Sequence, residues 1–164
     1  MNTSLTRFDR ITGVALIVLP LVALGFKMWS FGWYTVFMLF GPIFVMAGAY
    51  VMQVILAVQC YLVKSDLLGA ARKRATFAAW LSSVGFLMLG ITMPDGGDTG
   101  YGSTLQVWLG SYGANADAIH AATDTLTYVL AVVSAIAWVG GFVWLMIEWI
   151  GAHARRRKIQ LGMA

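Results

Sequence analysis

A single cysteine, Cys60, in 164 residues leaves no partner for an intrachain disulfide or for a redox thiol pair. The histidines number two, His120 and His153, and the uncharged run Thr125 to Ile147 separates them. They therefore belong to opposite ends of one helix, which excludes haem held by two axial histidines of the same chain. Charge is scarce as well, with 11% Asp, Glu, Lys and Arg against roughly 25% in a soluble domain. There is no glycine-rich phosphate loop after a strand and no nucleophile signature of a serine hydrolase. The long apolar runs carry no His, Asp or Glu, which an intramembrane protease would need inside its bundle. Nothing in the composition calls for a cofactor.

What the chain has is apolar length: 60% of its residues are hydrophobic. Four stretches hold no charge at all: Ile11 to Phe26, Met28 to Val63, Ala75 to Pro94 and Thr125 to Ile147. A transmembrane helix takes about 20 apolar residues, so the pattern predicts an all-α polytopic membrane protein built as a four-transmembrane-helix bundle. The expected helices are about 11–30, 34–63, 75–93 and 118–150. They form one domain over 1–164, with an outer loop at about 94–117 and a basic tail at 151–164.

The charges that remain are segregated. Of the eleven Lys and Arg residues, all but Lys27 fall on one side of such a bundle: Arg7, Arg10, Lys64, Arg72, Lys73, Arg74, Arg155, Arg156, Arg157 and Lys158. By the positive-inside rule both termini are cytoplasmic, most simply in a bacterial inner membrane. Asp95, Asp98, Asp117 and Asp124 then lie outside. Arg72, Lys73, Arg74 and Arg155 to Lys158 are expected to meet anionic lipid headgroups of the bilayer. Juxtamembrane basic runs are ordinary topology determinants, so nucleic acid is not an expected partner. Ala23-Leu24-Gly25 resembles a small-x-small cleavage site. Apolar character resumes at once through Met28, Trp29 and Phe31, and the first helix is expected to stay uncleaved.

Local features refine this plan. The 16 residues between Arg10 and Lys27 cover only about 24 Å, short of a ~30 Å hydrocarbon core, and Lys27 is expected to snorkel outward. Pro20 is expected to kink helix 1, and Gly41-Pro42 to bend the second span. Small residues Ala75, Ala78, Ala79, Ser82 and Ser83 on helix 3, and Ala131, Ala135, Ala137 and Gly141 on helix 4, suit close helix packing within the monomer. The segment Pro94 to Ala116 reads as the longest non-helical stretch, with six of the eighteen glycines. Its apolar part, Thr104 to Leu109, is suited to the interface, to the bundle mouth or to a partner.

Candidate chemistry clusters outside. Asp117, His120 and Asp124 are spaced i, i+3, i+7 and share a helix face. A histidine between carboxylates is equipped to relay protons or, with Asp95 or Asp98, to hold a divalent metal. The structural alternative makes Asp117 the N-cap of helix 4. Asp95 to Gly100 lacks the ligand pattern of an EF-hand loop and reads as a tight acidic turn. At membrane depth the polar groups Gln53, Ser82, Ser83 and Ser134 are candidates for interhelical contacts or for a pore lining. Glu148 is expected at the inner interface, paired with a basic neighbour, and Cys60 is expected to be a packing residue. With so few polar groups in the spans, the function expected is that of a non-catalytic subunit, assembly factor or scaffold. Its partners would be other membrane subunits or further copies of itself. The alternative is a parallel homo-oligomeric channel or transporter with an acidic outer mouth.

Overall fold

The computed structural model describes residues 5–30, 32–33, 35–36, 43–63, 67–97 and 100–161. The chain is mostly helical, and three of its helices are long and apolar enough to cross a membrane. Helix α1 spans Arg7–Lys27 and continues into a 3-10 turn at Met28–Ser30. It starts ahead of the apolar run because Thr6 and Asp9 form a capping box, which satisfies two N-terminal amides. The helix runs on through Pro20. Helix α2 spans Ile43–Ala57 and passes into a π-turn at Val58–Leu62; its apolar part, Ala47–Leu62, is shorter than the three long helices. The expected bend at Gly41-Pro42 lies outside the described residues. Helix α3 spans Arg72–Thr92.

After α3 the chain forms a two-stranded antiparallel hairpin, β1 (Asp95–Gly97) and β2 (Gly100–Gly102), in the register Asp95 to Gly102. A short helix α4, Thr104–Trp108, follows, and α5 then runs from Ala116 to Gln160. The outer segment is thus ordered rather than a plain loop. The basic tail expected from residue 151 is the last part of α5, since Ala152, Ala154 and three arginines favour helix and no proline interrupts them.

The described helices are inside-out relative to a water-soluble bundle. The buried stripe of α1 is Asp9, Thr12, Gly13, Leu16, Pro20, Ala23 and Lys27, while Ile11, Val14, Val18, Leu21 and Leu24 are exposed. The buried stripe of α5 is Thr127, Ala131, Ser134, Gly141, Leu145, Glu148 and Ala152, with Val132, Val133, Ile136, Val143 and Ile147 exposed. Small and polar residues facing inward are what helices long and apolar enough to cross a membrane require, because lipid would give them no hydrophobic reason to meet. Close contact and hydrogen bonds do that work instead.

The expected small-residue seam joins α3 to α5. A Cβ on Gly141 would come within 2.5 Å of the Ser82 nitrogen and 2.7 Å of the Ala78 carbonyl oxygen, so only glycine lets the two backbones meet. Side-chain hydrogen bonds also join the other pairs. The Trp80 indole donates to Thr12 Oγ1 at 3.1 Å, the Tyr50 hydroxyl to the Ile17 carbonyl at 3.2 Å, and the Trp149 indole to Gln59 Oε1 at 3.0 Å. Cys60 is a buried free thiol inside the apolar core, packed with Leu16, Leu56 and Leu145.

Candidate functional site

The densest polar network sits at the end where α1 finishes and the hairpin begins. Lys27 does not snorkel. It is only 7% exposed, and its ammonium donates to the Met93 carbonyl at 2.7 Å and to Ser30 Oγ at 3.1 Å. Asp95 Oδ2 lies 3.8 Å away. Burial is possible because Asp95 of the hairpin supplies counter-charge and Met93 and Ser30 supply acceptors, which removes the need to reach water. Asp95, 2% exposed, also accepts from the Thr35 amide at 2.8 Å and from the Thr35 hydroxyl. Gly32 permits this approach, since a Cβ there would overlap the Gly96 carbonyl and the Asp95 carboxylate.

Helix α4 closes the same end. Ser103 and Gln106 form a capping box, and Ser103, Thr104 and Gln106 are fully buried. Thr104 Oγ1 donates to the Phe26 carbonyl at 2.9 Å and shares a hydrogen bond with Ser30 Oγ at 3.0 Å. Its apolar side points away from the network. Trp108 is 48% exposed and packs against Phe26 and Trp29 with ring centroids 5.4 and 6.3 Å apart, and Leu109 beside it is also exposed. Of the three placements considered for Thr104 to Leu109, the polar face over the bundle mouth is the one observed.

Gln106 ties this cap to α5. Its amide nitrogen donates to Asp124 Oδ1 at 2.7 Å and to Thr123 Oγ1 at 3.0 Å, while its oxygen accepts from the Ser103 amide at 2.8 Å. Asp124 Oδ1 is also 3.2 Å from His120 Nδ1. The Tyr101 ring lies 5.4 Å from the His120 ring, and its hydroxyl bonds that of Tyr128. Burial, reinforced by the Tyr128 hydroxyl, raises the Tyr101 phenol above its ordinary pKa. His120 and Asp124 therefore form a dyad with Nδ1 engaged, an arrangement that orients an imidazole.

Asp117 does not join them. It is exposed in the first turn of α5, and the cap position belongs to Asn115. Asp95 is engaged with Lys27 and Thr35, and Asp98 lies outside the described residues. Among the described residues no three His, Cys, Asp or Glu side chains converge as a metal ion would require.

At the opposite end Glu148 has its expected basic partner. Arg74 Nε donates to Glu148 Oε1 at 2.8 Å, and the Trp144 indole to the same oxygen at 3.4 Å. A second ion pair there joins Arg72 Nε to Asp9 Oδ1 at 3.0 Å. Gln53, Ser82, Ser83 and Ser134 are all buried, and among the described residues Gln53 Nε2 and the Ser82 and Ser83 hydroxyls have no hydrogen-bond partner. Lys73 and Arg155, Arg157 and Lys158 are exposed, and Arg156 is partly so.

Sequence reasoning missed the Lys27–Asp95 pair, the Gln106 hub and the Asp9–Arg72 pair. One signal for the first was available: Lys27 is the lone basic residue on the acidic side of the chain. In comparisons with known proteins no family model matches the chain, and no curated protein and no solved structure matches it.

Proposed function

We propose that this chain crosses a bacterial inner membrane four times, with both termini cytoplasmic. There it serves as a non-catalytic subunit, assembly factor or scaffold of a membrane complex. Support for the spanning geometry comes from two layers of ion pairs. Asp9 and Lys27 are 18 residues apart on α1, and Asp124 and Glu148 are 24 apart on α5, or about 27 and 36 Å at 1.5 Å per residue. Those separations bracket a ~30 Å hydrocarbon core. The helical segment from Ile43 to Leu62 is about 30 Å long on the same basis and would be the second of four spans. The basic residues at the Asp9 end support the cytoplasmic assignment.

The observation that carries the subunit reading is α5. It is 45 residues long, yet it meets the rest of the chain along one narrow stripe. A broad apolar side from Leu126 to Ile150 is left open, and a Cβ on Gly140 would touch nothing within 4 Å. Such a face accepts a partner helix without rearrangement. A second reading, the parallel homo-oligomeric channel or transporter, draws on the unpaired polar atoms of Gln53, Ser82 and Ser83.

Mild extraction of tagged protein followed by native mass spectrometry separates the two. A stoichiometric heterologous partner is the result expected. A pure homo-oligomer would replace the subunit reading with the channel reading, and a lone monomer would defeat both.

A further inference from the structure

The outer cap has two sides, and the polar network accounts for only one of them. Inward, Thr104 Oγ1 reaches the Phe26 carbonyl of α1 at 2.9 Å and the Gly90 carbonyl of α3 at 3.4 Å. Those bonds hold the start of α4 level with the last turns of both helices, not beyond their ends. Outward, Trp108 and Leu109 are exposed, and so are Met28 and Trp29 at the end of α1. The Phe26, Trp29 and Trp108 rings pack the two elements side by side. No Lys, Arg, Asp or Glu occurs from residue 99 to 116 or from 28 to 63, and the Lys27 ammonium at this turn is buried in the network. The patch continues into an open apolar groove lined by Val22, Gly25, Phe26, Met28 and Trp29. That groove lies on the side of α1 where Val18 and Leu21 are also exposed. Contiguous apolar surface of this kind marks an interaction site.

We propose that this surface binds lipid: outer-leaflet phospholipids lie against Trp108, Leu109, Met28 and Trp29, with an acyl chain along the groove. Helix α4 is then an interfacial element of the membrane, not a water-facing lid. The inference rests on the four-span topology proposed above. Lipid is the occupant because the patch prolongs the side of α1 that a spanning helix turns to hydrocarbon. Neither segment that forms it supplies a charge, whereas a protein interface is rimmed by polar groups. The depth agrees, since Phe26, which Trp108 touches, ends the uncharged run of α1. Indole rings, with an apolar body and one N–H donor, are suited to that boundary.

The test places one spin label at a time on the full chain carrying Cys60→Ala, through Leu109→Cys, Met28→Cys, Ile136→Cys or Asp117→Cys. Each protein is reconstituted in vesicles of phosphatidylethanolamine and phosphatidylglycerol. Relaxation by oxygen, which concentrates in hydrocarbon, is compared with relaxation by a water-soluble nickel chelate. Ile136, 68% exposed in the middle of α5, is the lipid reference, and exposed Asp117 is the water reference. The Leu109 and Met28 labels should give similar oxygen-to-nickel ratios, both shifted from the Asp117 value toward that of Ile136. A Leu109 ratio equal to that at Asp117 overturns the proposal, and with Met28 and Ile136 still in lipid it leaves the spanning topology intact. A Leu109 label shielded from both reagents also overturns it, because protein would then cover the patch. If Ile136 itself relaxes as Asp117 does, the topology fails and this inference fails with it. Should Leu109→Cys not fold, Trp108→Cys reads the same side of α4.

Discussion

Replacing Lys27 by methionine, Asp95 by alanine, and both together tests whether the buried pair acts as one unit. At 3.8 Å, two unit charges attract by about 4 kcal/mol at an effective dielectric constant of ~20. Desolvation offsets part of that attraction, so the informative quantity is the cost of leaving one charge alone. Asp95→Ala strands an ammonium with two neutral acceptors, the Met93 carbonyl and Ser30 Oγ. Lys27→Met removes the ammonium from a carboxylate that keeps the Thr35 amide and hydroxyl and the Gly96 amide. Breaking a buried pair from one side costs about 3–5 kcal/mol, and these residual bonds favour the lower figure. Each single variant should lose about 3 kcal/mol, or about 6–12 °C of thermal midpoint for a chain of this size. The double variant strands no charge and should lose no more than either single variant, well short of the ~6 kcal/mol sum, a coupling of at least about 3 kcal/mol. Reversible unfolding in detergent, followed by tryptophan fluorescence, measures all four corners of the cycle. Additivity within about 0.5 kcal/mol would refute the reasoning, because it would mean that water or lipid headgroups solvate each charge independently.

Three further outcomes follow from the packing. Gly141→Ala forces the backbones of α3 and α5 apart and should cost about 1–3 kcal/mol, while Gly140→Ala, one residue on, meets nothing and should stay within about 0.5 kcal/mol of the parent. Paired thermal midpoints check this, and equal losses would place the seam elsewhere. Gln106→Leu leaves the Ser103 amide and Asp124 without their partner and should free the cap. The expected readout is faster amide exchange over residues 95–115, with exchange in the middle of α3 unchanged. Glu148→Gln weakens an ion pair whose Arg74 side chain is 62% exposed; solvent screens such a pair, so its midpoint should stay at the parent value in low and high salt alike.

The parts of this molecule that were legible in advance are those governed by one-dimensional patterns. Apolar run length located the long helices, and the stripe from Ala75 to Ser83 with Gly141 anticipated the α3–α5 seam, because helical spacing alone puts those residues on one face. The Glu148 partner followed from local basic density. What stayed hidden depends on contacts distant in the chain. Lys27 bonds Met93 across 66 positions and Thr35 bonds Asp95 across 60, and no local window joins such residues. The cap misled for a further reason. Its glycines and mixed polarity look like a loop when inward is taken to mean apolar. Here Thr104 and Gln106 are buried while Trp108 and Leu109 are exposed, so the usual reading has to be inverted. The proposed membrane placement supplies a physical cause, because a segment bordering lipid must satisfy its polar groups against the protein. The same inversion explains why the ionisable residues of the spans could not be ranked from sequence. Asp9, Lys27, Arg72 and Asp95 stand at the edges of apolar runs, where exposure to headgroups was the natural expectation. Their pairing makes each of them a constraint on how the helices end.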